Sequence, residues 1–236
     1  MAKALLGFRN SIGQSQSGIP NWSLGYDLTL RTLHATSPTT VGTMNALSLD
    51  YAGLMSSFHP PLDLALVSAA LLTAFADWYE ARHGDCALHQ FEQAGASYLF
   101  DLASSANLPQ EDRTVAALAP TPQAVNSRDT AYQRGFPMAP GVDGPPVDRG
   151  HLIPHLSGGE FGPNIFRQDR ALNRGWSEQG KRYRALEREA AATPGTLYFG
   201  HLIYAEDTSY PYEIETGLLR GDKLHVERLH NRPLDR

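Results

Sequence analysis

Four consecutive residues, Asp148-Arg149-Gly150-His151, place an acid, a cation, a glycine and an imidazole side by side, and Asn164, Gln168 and Asn173 follow closely. An imidazole titrates near neutrality, so His151 can take a proton from water at physiological pH. Arg149 offers a planar fork of donors suited to phosphate oxygens. Gly150 lets the backbone turn without a Cβ penalty, which would aim His151 at a phosphate while Arg149 stays in reach. A hard divalent ion prefers oxygen ligands and takes few protein groups when it keeps its waters, and the Asn173 amide oxygen is one such ligand. A base, a cation and a metal ligand are together what hydrolysis of a phosphodiester requires.

Residues 148–175, DRGHLIPHLSGGEFGPNIFRQDRALNRG, resemble the DRGH-type DNA/RNA non-specific endonucleases of the ββα-metal class. That family pairs the DRGH segment with a downstream Asn-x-x-x-Gln, here Asn164 and Gln168, and then Leu-Asn-x-Gly, here Leu172-Asn173-Arg174-Gly175. The resemblance implies an α+β fold with a ββα-metal nuclease core and an antiparallel sheet. It implies hydrolysis of DNA, with RNA as a second substrate, and Mg²⁺ as cofactor, with Mn²⁺ able to substitute. His151 is then the general base, Asn173 the direct metal ligand and Arg149 the contact to phosphate. Asn164 supports the site, and Asp148 orients its neighbours.

The family also carries Trp-x-x-Leu-Glu soon after the metal-binding Asn, its Glu organising the metal's waters. The nearest match here is Tyr183-Arg184-Ala185-Leu186-Glu187, set back by residues 176–182. Each helical residue turns the chain by about 100°, so one straight helix would rotate Glu187 away from the family position. Either the inserted residues form a loop and Glu187 takes the role, or Glu178 does; Glu187 is the favoured assignment.

A net charge of −5 argues against a simple polycation that wraps nucleic acid. The acidic excess lies before residue 131, where six Lys and Arg face eleven Asp and Glu; the remainder holds fourteen of each. Arg167, Arg170 and Arg174, with Lys181, Arg182, Arg184 and Arg188, crowd the motif, where they would hold phosphates through salt-sensitive, sequence-independent contacts. From charge alone, a solvated helix face paired by Glu178, Glu187 and Glu189 fits them better; the motif favours phosphate. Cys86 stands alone, which excludes an intrachain disulfide framework.

The elements that must position these groups read as follows. Residues 62–81 carry Leu64, Val67, Leu71, Leu72, Phe75 and Trp78 at helical spacing, ended by Gly84, with an apolar run shorter than a bilayer needs and so no membrane span. Residues 87–106 are expected to form a second helix. Together they make residues 1–120 a mainly helical N-terminal region, an arm or a regulatory or assembly unit, ahead of a nuclease domain at 121–236. Residues 108–146 are rich in Pro and Gly and read as a connector with room for one strand, holding Arg128 and Arg134. Asn164-Ile165-Phe166 begins the second strand of the motif hairpin, a helix follows, and residues 196–204, 212–219 and 224–229 read as an antiparallel meander. His155, His201, His225 and His230 read as ordinary loop or sheet histidines, because no tight spacing supports zinc.

Residues 1–50 are rich in Ser, Thr, Gly and Asn, and residues 18–43 are expected to form an irregular arm or a short strand. The apolar stretch between Lys3 and Arg9 is too brief for a secretory signal, so the expectation is a protein cytoplasmic in the producing cell, or exported without a cleaved signal peptide. The family resemblance is compatible with a bacterial toxin or defence effector restrained by an inhibitory or immunity protein, in monomeric or oligomeric form. The alternative is a nucleic-acid-binding or partner-binding module that keeps the nuclease fold with weak turnover.

Overall fold

The structure is a computed structural model that describes residues 31–32, 48–121, 147–160, 162–205 and 207–232. Its elements are β1 (Arg31–Thr32), α1 (Tyr51–Met55), α2 (Leu64–His83), β2 (Leu88–Gln93), β3 (Ala96–Asp101), β4 (Arg113–Thr121), β5 (Val147–His151), β6 (Ile165–Asp169), α3 (Arg170–Asn173), α4 (Glu178–Ala192), β7 (Thr196–Ile203), β8 (Glu213–Arg220) and β9 (Lys223–His230). Seven strands pair in the order β1-β2-β3-β4-β7-β8-β9, and β5 pairs with β6 in a separate two-stranded sheet. Every pairing is antiparallel, and the class is α+β. Most of the residues expected in the N-terminal arm, and Arg128 and Arg134 in the connector, lie outside the described residues.

Helix α2 forms where its stripe and caps predict. The Asp63 carboxylate accepts from Ala65 N and Leu66 N, which satisfies two donors of the first turn. Gly84 ends the helix at φ 68°, a conformation that side chains disfavour. Val67, Leu71, Phe75 and Tyr79 recur at i, i+4 spacing and are wholly buried. Phase and contact agree: the Phe75 ring lies 5.5 Å from Phe199 on β7 and stacks 4.5 Å from the His201 ring. His201, a sheet histidine as expected, is sealed there with its Nδ1 3.1 Å from Glu215 Oε2, the oxygen to which Tyr51 also donates at 2.6 Å. The helix has the expected length, shifted by two residues, but its apolar run is not too short for a bilayer: by length and composition its 20 residues could cross a membrane. What marks it as a core helix is the buried stripe on the sheet.

The second predicted helix is instead a hairpin. Ala94 and Gly95 both take positive φ, 51° and 75°, the geometry of a two-residue hairpin turn. Strands β2 and β3 on either side align Phe91 with Tyr98, whose rings stack 5.6 Å apart. Short apolar runs fit a helical and a strand period alike, and the cross-strand aromatic pair decides between them. Strand β4 then pairs with β7, Pro120 opposite Leu197 and Thr121 opposite Thr196. The sheet therefore runs unbroken through residue 120, and the region before it supplies strands as well as the helices α1 and α2.

The two faces of the sheet divide the work. Phe199 and His201 look toward α2, so alternation turns Tyr198, Gly200 and Leu202 toward the opposite side. On that side Leu152, just past β5, is seated over Gly200: a Cβ on Gly200 would fall inside Leu152 Cδ1 and 2.7 Å from its Cγ. The motif hairpin is thereby locked to the sheet. Gly200→Ala is expected to lower stability by about 1–3 kcal/mol through overpacking, read as a lower melting temperature. An unchanged melting temperature would mean that Leu152 moves aside freely.

Candidate functional site

All four DRGH residues lie on β5. Across the hairpin Asp148 faces Gln168, Arg149 faces Arg167, Gly150 faces Phe166 and His151 faces Ile165. Gly150 is required by space: a Cβ there would meet the buried Gln168 side chain, 2.7 Å from its Cβ. Alternation sets Asp148 and Gly150 on one face and Arg149 and His151 on the other. Arg167 shares the His151 face and is buried; burial lowers its pKa, against the opposing pull of Glu111. His151 is also buried, its ring centroid 6.2 Å from that of His155.

The loop after His151 is held by Asn164. Its Oδ1 accepts from Ile153 N at 2.7 Å, while its Nδ2 donates to Ile153 O at 2.9 Å and to Glu160 O at 2.8 Å. The side chain is fully buried and each hydrogen bond goes to main chain, so Asn164 fixes the path out of β5. Asn231, beyond β9, does the same for β6: it accepts from Asp169 N and donates to Arg167 O and Pro211 O.

Asp169 caps α3 by accepting from Leu172 N. Asn173 is the last residue of this short turn, because the long helix begins only where Ser177 caps Gly180 N. The Asp148 carboxylate gathers the α3 side chains, accepting from Arg170 Nε at 2.9 Å, Arg174 Nε at 2.7 Å and Asn173 Nδ2 at 3.2 Å. Burial alone would raise its pKa, yet the bonds from Arg174, Asn173 and Arg170 hold it below the usual carboxylate range. Of the arginines expected to bind phosphate, Arg170 and Arg174 are thus already on Asp148, and Arg167 lies on the other face of the hairpin.

Helix α4 lies close against α3, since a Cβ on Gly180 would come 2.7 Å from both Ala171 O and Leu172 O. Two consecutive residues then reach the motif: Tyr183 Oη donates to His151 O at 3.1 Å, and Arg184 Nη1 donates to Asn173 O at 3.3 Å. Arg184 Nε lies 3.3 Å from Glu187 Oε2, so one guanidinium joins Asn173 to Glu187. Asn173 lies on α3, outside the hairpin, and α4 relates it to His151 by bonding the main-chain carbonyl of each.

The inserted residues are only partly loop, since 178–182 are helical. Glu178 and Glu187 are nine positions apart on α4, about 180° around the axis. Glu178 projects to solvent beside Lys181, whereas the Glu187 side chain is 15% exposed and near the motif. In the sequence Tyr183 is marked only as the approach to Glu187 and Arg184 only as one more cation for phosphate, and nothing in the local pattern marks Asn231.

Burial pushes the Glu187 carboxyl up to about 7, against the opposing pull of Arg184. The unfolded chain titrates this group near ~4.3, so the folded state holds the proton more tightly. That contribution to stability is complete below pH ~4.3 and is lost as pH rises through the folded value. Glu187→Gln removes the titration, and its urea-unfolding free energy should fall less than that of the wild type between roughly pH 5 and pH 8. Parallel pH profiles would place no titrating carboxyl at this position.

Among the described residues no three or more His, Cys, Asp or Glu side chains cluster as a metal centre. A scan of the chain against protein-family models and a search of curated proteins found no match.

Proposed function

We propose that the chain is a divalent-metal-dependent endonuclease that hydrolyses phosphodiester bonds of DNA, with RNA as a second substrate. The observation that carries this reading is the grip of neighbouring α4 residues on the two key motif residues, Tyr183 on the His151 carbonyl and Arg184 on that of Asn173. Base and metal ligand are thus held one step apart along a single helix. The order hairpin, short turn, helix is also that of the ββα-metal core which the motif resembles.

The donor set fits a hard cation. A carboxylate only accepts, so the Asn173 NH₂ faces Asp148 and the amide oxygen is directed elsewhere. Asn173 Oδ1 would hold Mg²⁺ or Mn²⁺, and Glu187 supplies a second oxygen group suited to the ion's waters. The bound ion would supply charge stabilisation on the phosphate. His151 takes the proton from the attacking water. Arg149, on the same hairpin face, steadies the phosphate oxygens, with Arg167 directly opposite as a further cation. Glu187, titrating near neutrality, can hold or release a proton in the working range.

Such a nuclease endangers the genome of the cell that makes it. We therefore read the chain as a bacterial toxin or defence effector kept in check by an inhibitory or immunity protein. The test is relaxation of supercoiled plasmid by the purified chain. Nicking with Mg²⁺ that EDTA abolishes is expected; DNA binding with no cleavage under any divalent ion would favour a binding module instead.

A further inference from the structure

The linker between α3 and α4 carries an indole that the hydrolytic reading leaves unused. Trp176 is 65% exposed, more than the other large hydrophobic side chains among the described residues. Single exposed hydrophobics are ordinary on protein surfaces, so exposure alone says little. What distinguishes Trp176 is how it is held and where. Its backbone N donates to Ala171 O at 2.8 Å, which ties the linker to α3. The Arg174 guanidinium lies 5.1 Å from the ring centroid, within cation–π range. That guanidinium is itself fixed by two hydrogen bonds to Asp148, 2.7 Å from Nε and 3.2 Å from Nη2. Asp148 in turn accepts from the Asn173 amide. A continuous set of contacts therefore runs from the proposed metal ligand through Asp148 and Arg174 to the indole.

We propose that Trp176 is a stacking platform for an unpaired base next to the cleaved phosphate, so that the site takes single-stranded nucleic acid or a locally opened duplex. The proposal rests on the endonuclease reading and adds its substrate class. An aromatic ring stacks on the π-face of any base without reading its edge, which suits a site that grips phosphate and ignores sequence. In an intact duplex those faces are covered by neighbouring base pairs, so the platform is reached only by a base that has left the stack. Arg174 at the indole, and Arg170 on the same Asp148 carboxylate, are partly exposed and give the same strand a cationic margin.

The test is binding in EDTA, read by fluorescence anisotropy, of a labelled oligo(dT) and of an abasic strand of equal length, by the full chain and by Trp176→Ala and Trp176→Phe. Wild type should prefer oligo(dT) by about tenfold, as expected for one base–aromatic stack. Trp176→Ala should lose that preference and Trp176→Phe keep most of it. A preference that survives in Trp176→Ala, or is missing from the wild type, overturns the platform and leaves the nuclease reading untouched. A wild type that shows the preference yet never cleaves any strand with Mg²⁺ or Mn²⁺ fails the nuclease reading, and with it the placement beside a cleaved phosphate.

Discussion

His151→Ala is expected to slow metal-dependent plasmid relaxation by about 10²- to 10⁴-fold, the range for loss of a positioned general base. The variant should still fold. The bond that ties this position to α4 goes to its main-chain carbonyl, so truncating the imidazole leaves the Tyr183 contact in place. Replacing a buried ring does cost packing, and a melting curve separates that loss from a chemical one. A folded variant that keeps more than a tenth of the wild-type rate would remove His151 from the chemistry.

The second large effect falls on stability. Asn164→Ala leaves the buried Ile153 N and Ile153 O, and the partly buried Glu160 O, without their side-chain partner. Unsatisfied buried groups cost about 1–3 kcal/mol each before relaxation, so a net loss of about 3–5 kcal/mol is expected. For a chain of this size that corresponds to a melting temperature lower by roughly 6–20 °C. Asn164→Asp is the sharper control. A carboxylate can accept from Ile153 N but repels both carbonyls, so it should not rescue. A melting temperature near that of the wild type in Asn164→Asp would show that the amide does not hold the loop.

The parts of the fold legible in the sequence are those fixed by local signals. Helix α2 has a cap, a stripe and a terminating glycine, all within its own stretch. The motif hairpin and the final meander are marked by β-branched and aromatic runs between turns. The β2–β3 hairpin is hidden in the sequence because its turn is Ala94-Gly95 rather than a familiar Asn-Gly, and because its aromatic pair becomes visible only once the strands are aligned. The site divides in the same way. Residue types and spacing could name Asp148, His151 and Asn173, and the i, i+4 spacing of Arg170 and Arg174 makes both reach one carboxylate. Spacing could not place Arg167, since a single step along a strand moves a side chain to the opposite face. Nor could it foresee Tyr183, Arg184 or Asn231, whose partners are main-chain groups on other elements; no side-chain pattern encodes them.

The central claim is that the Asn173 amide, turned by Asp148, presents its oxygen to a divalent cation. A crystal grown with Mn²⁺ and located by its anomalous signal tests it most directly. The account predicts a peak on Asn173 Oδ1, lost in Asn173→Ala. A Mn²⁺ peak elsewhere, with the Asn173 oxygen bonded to protein, would contradict it.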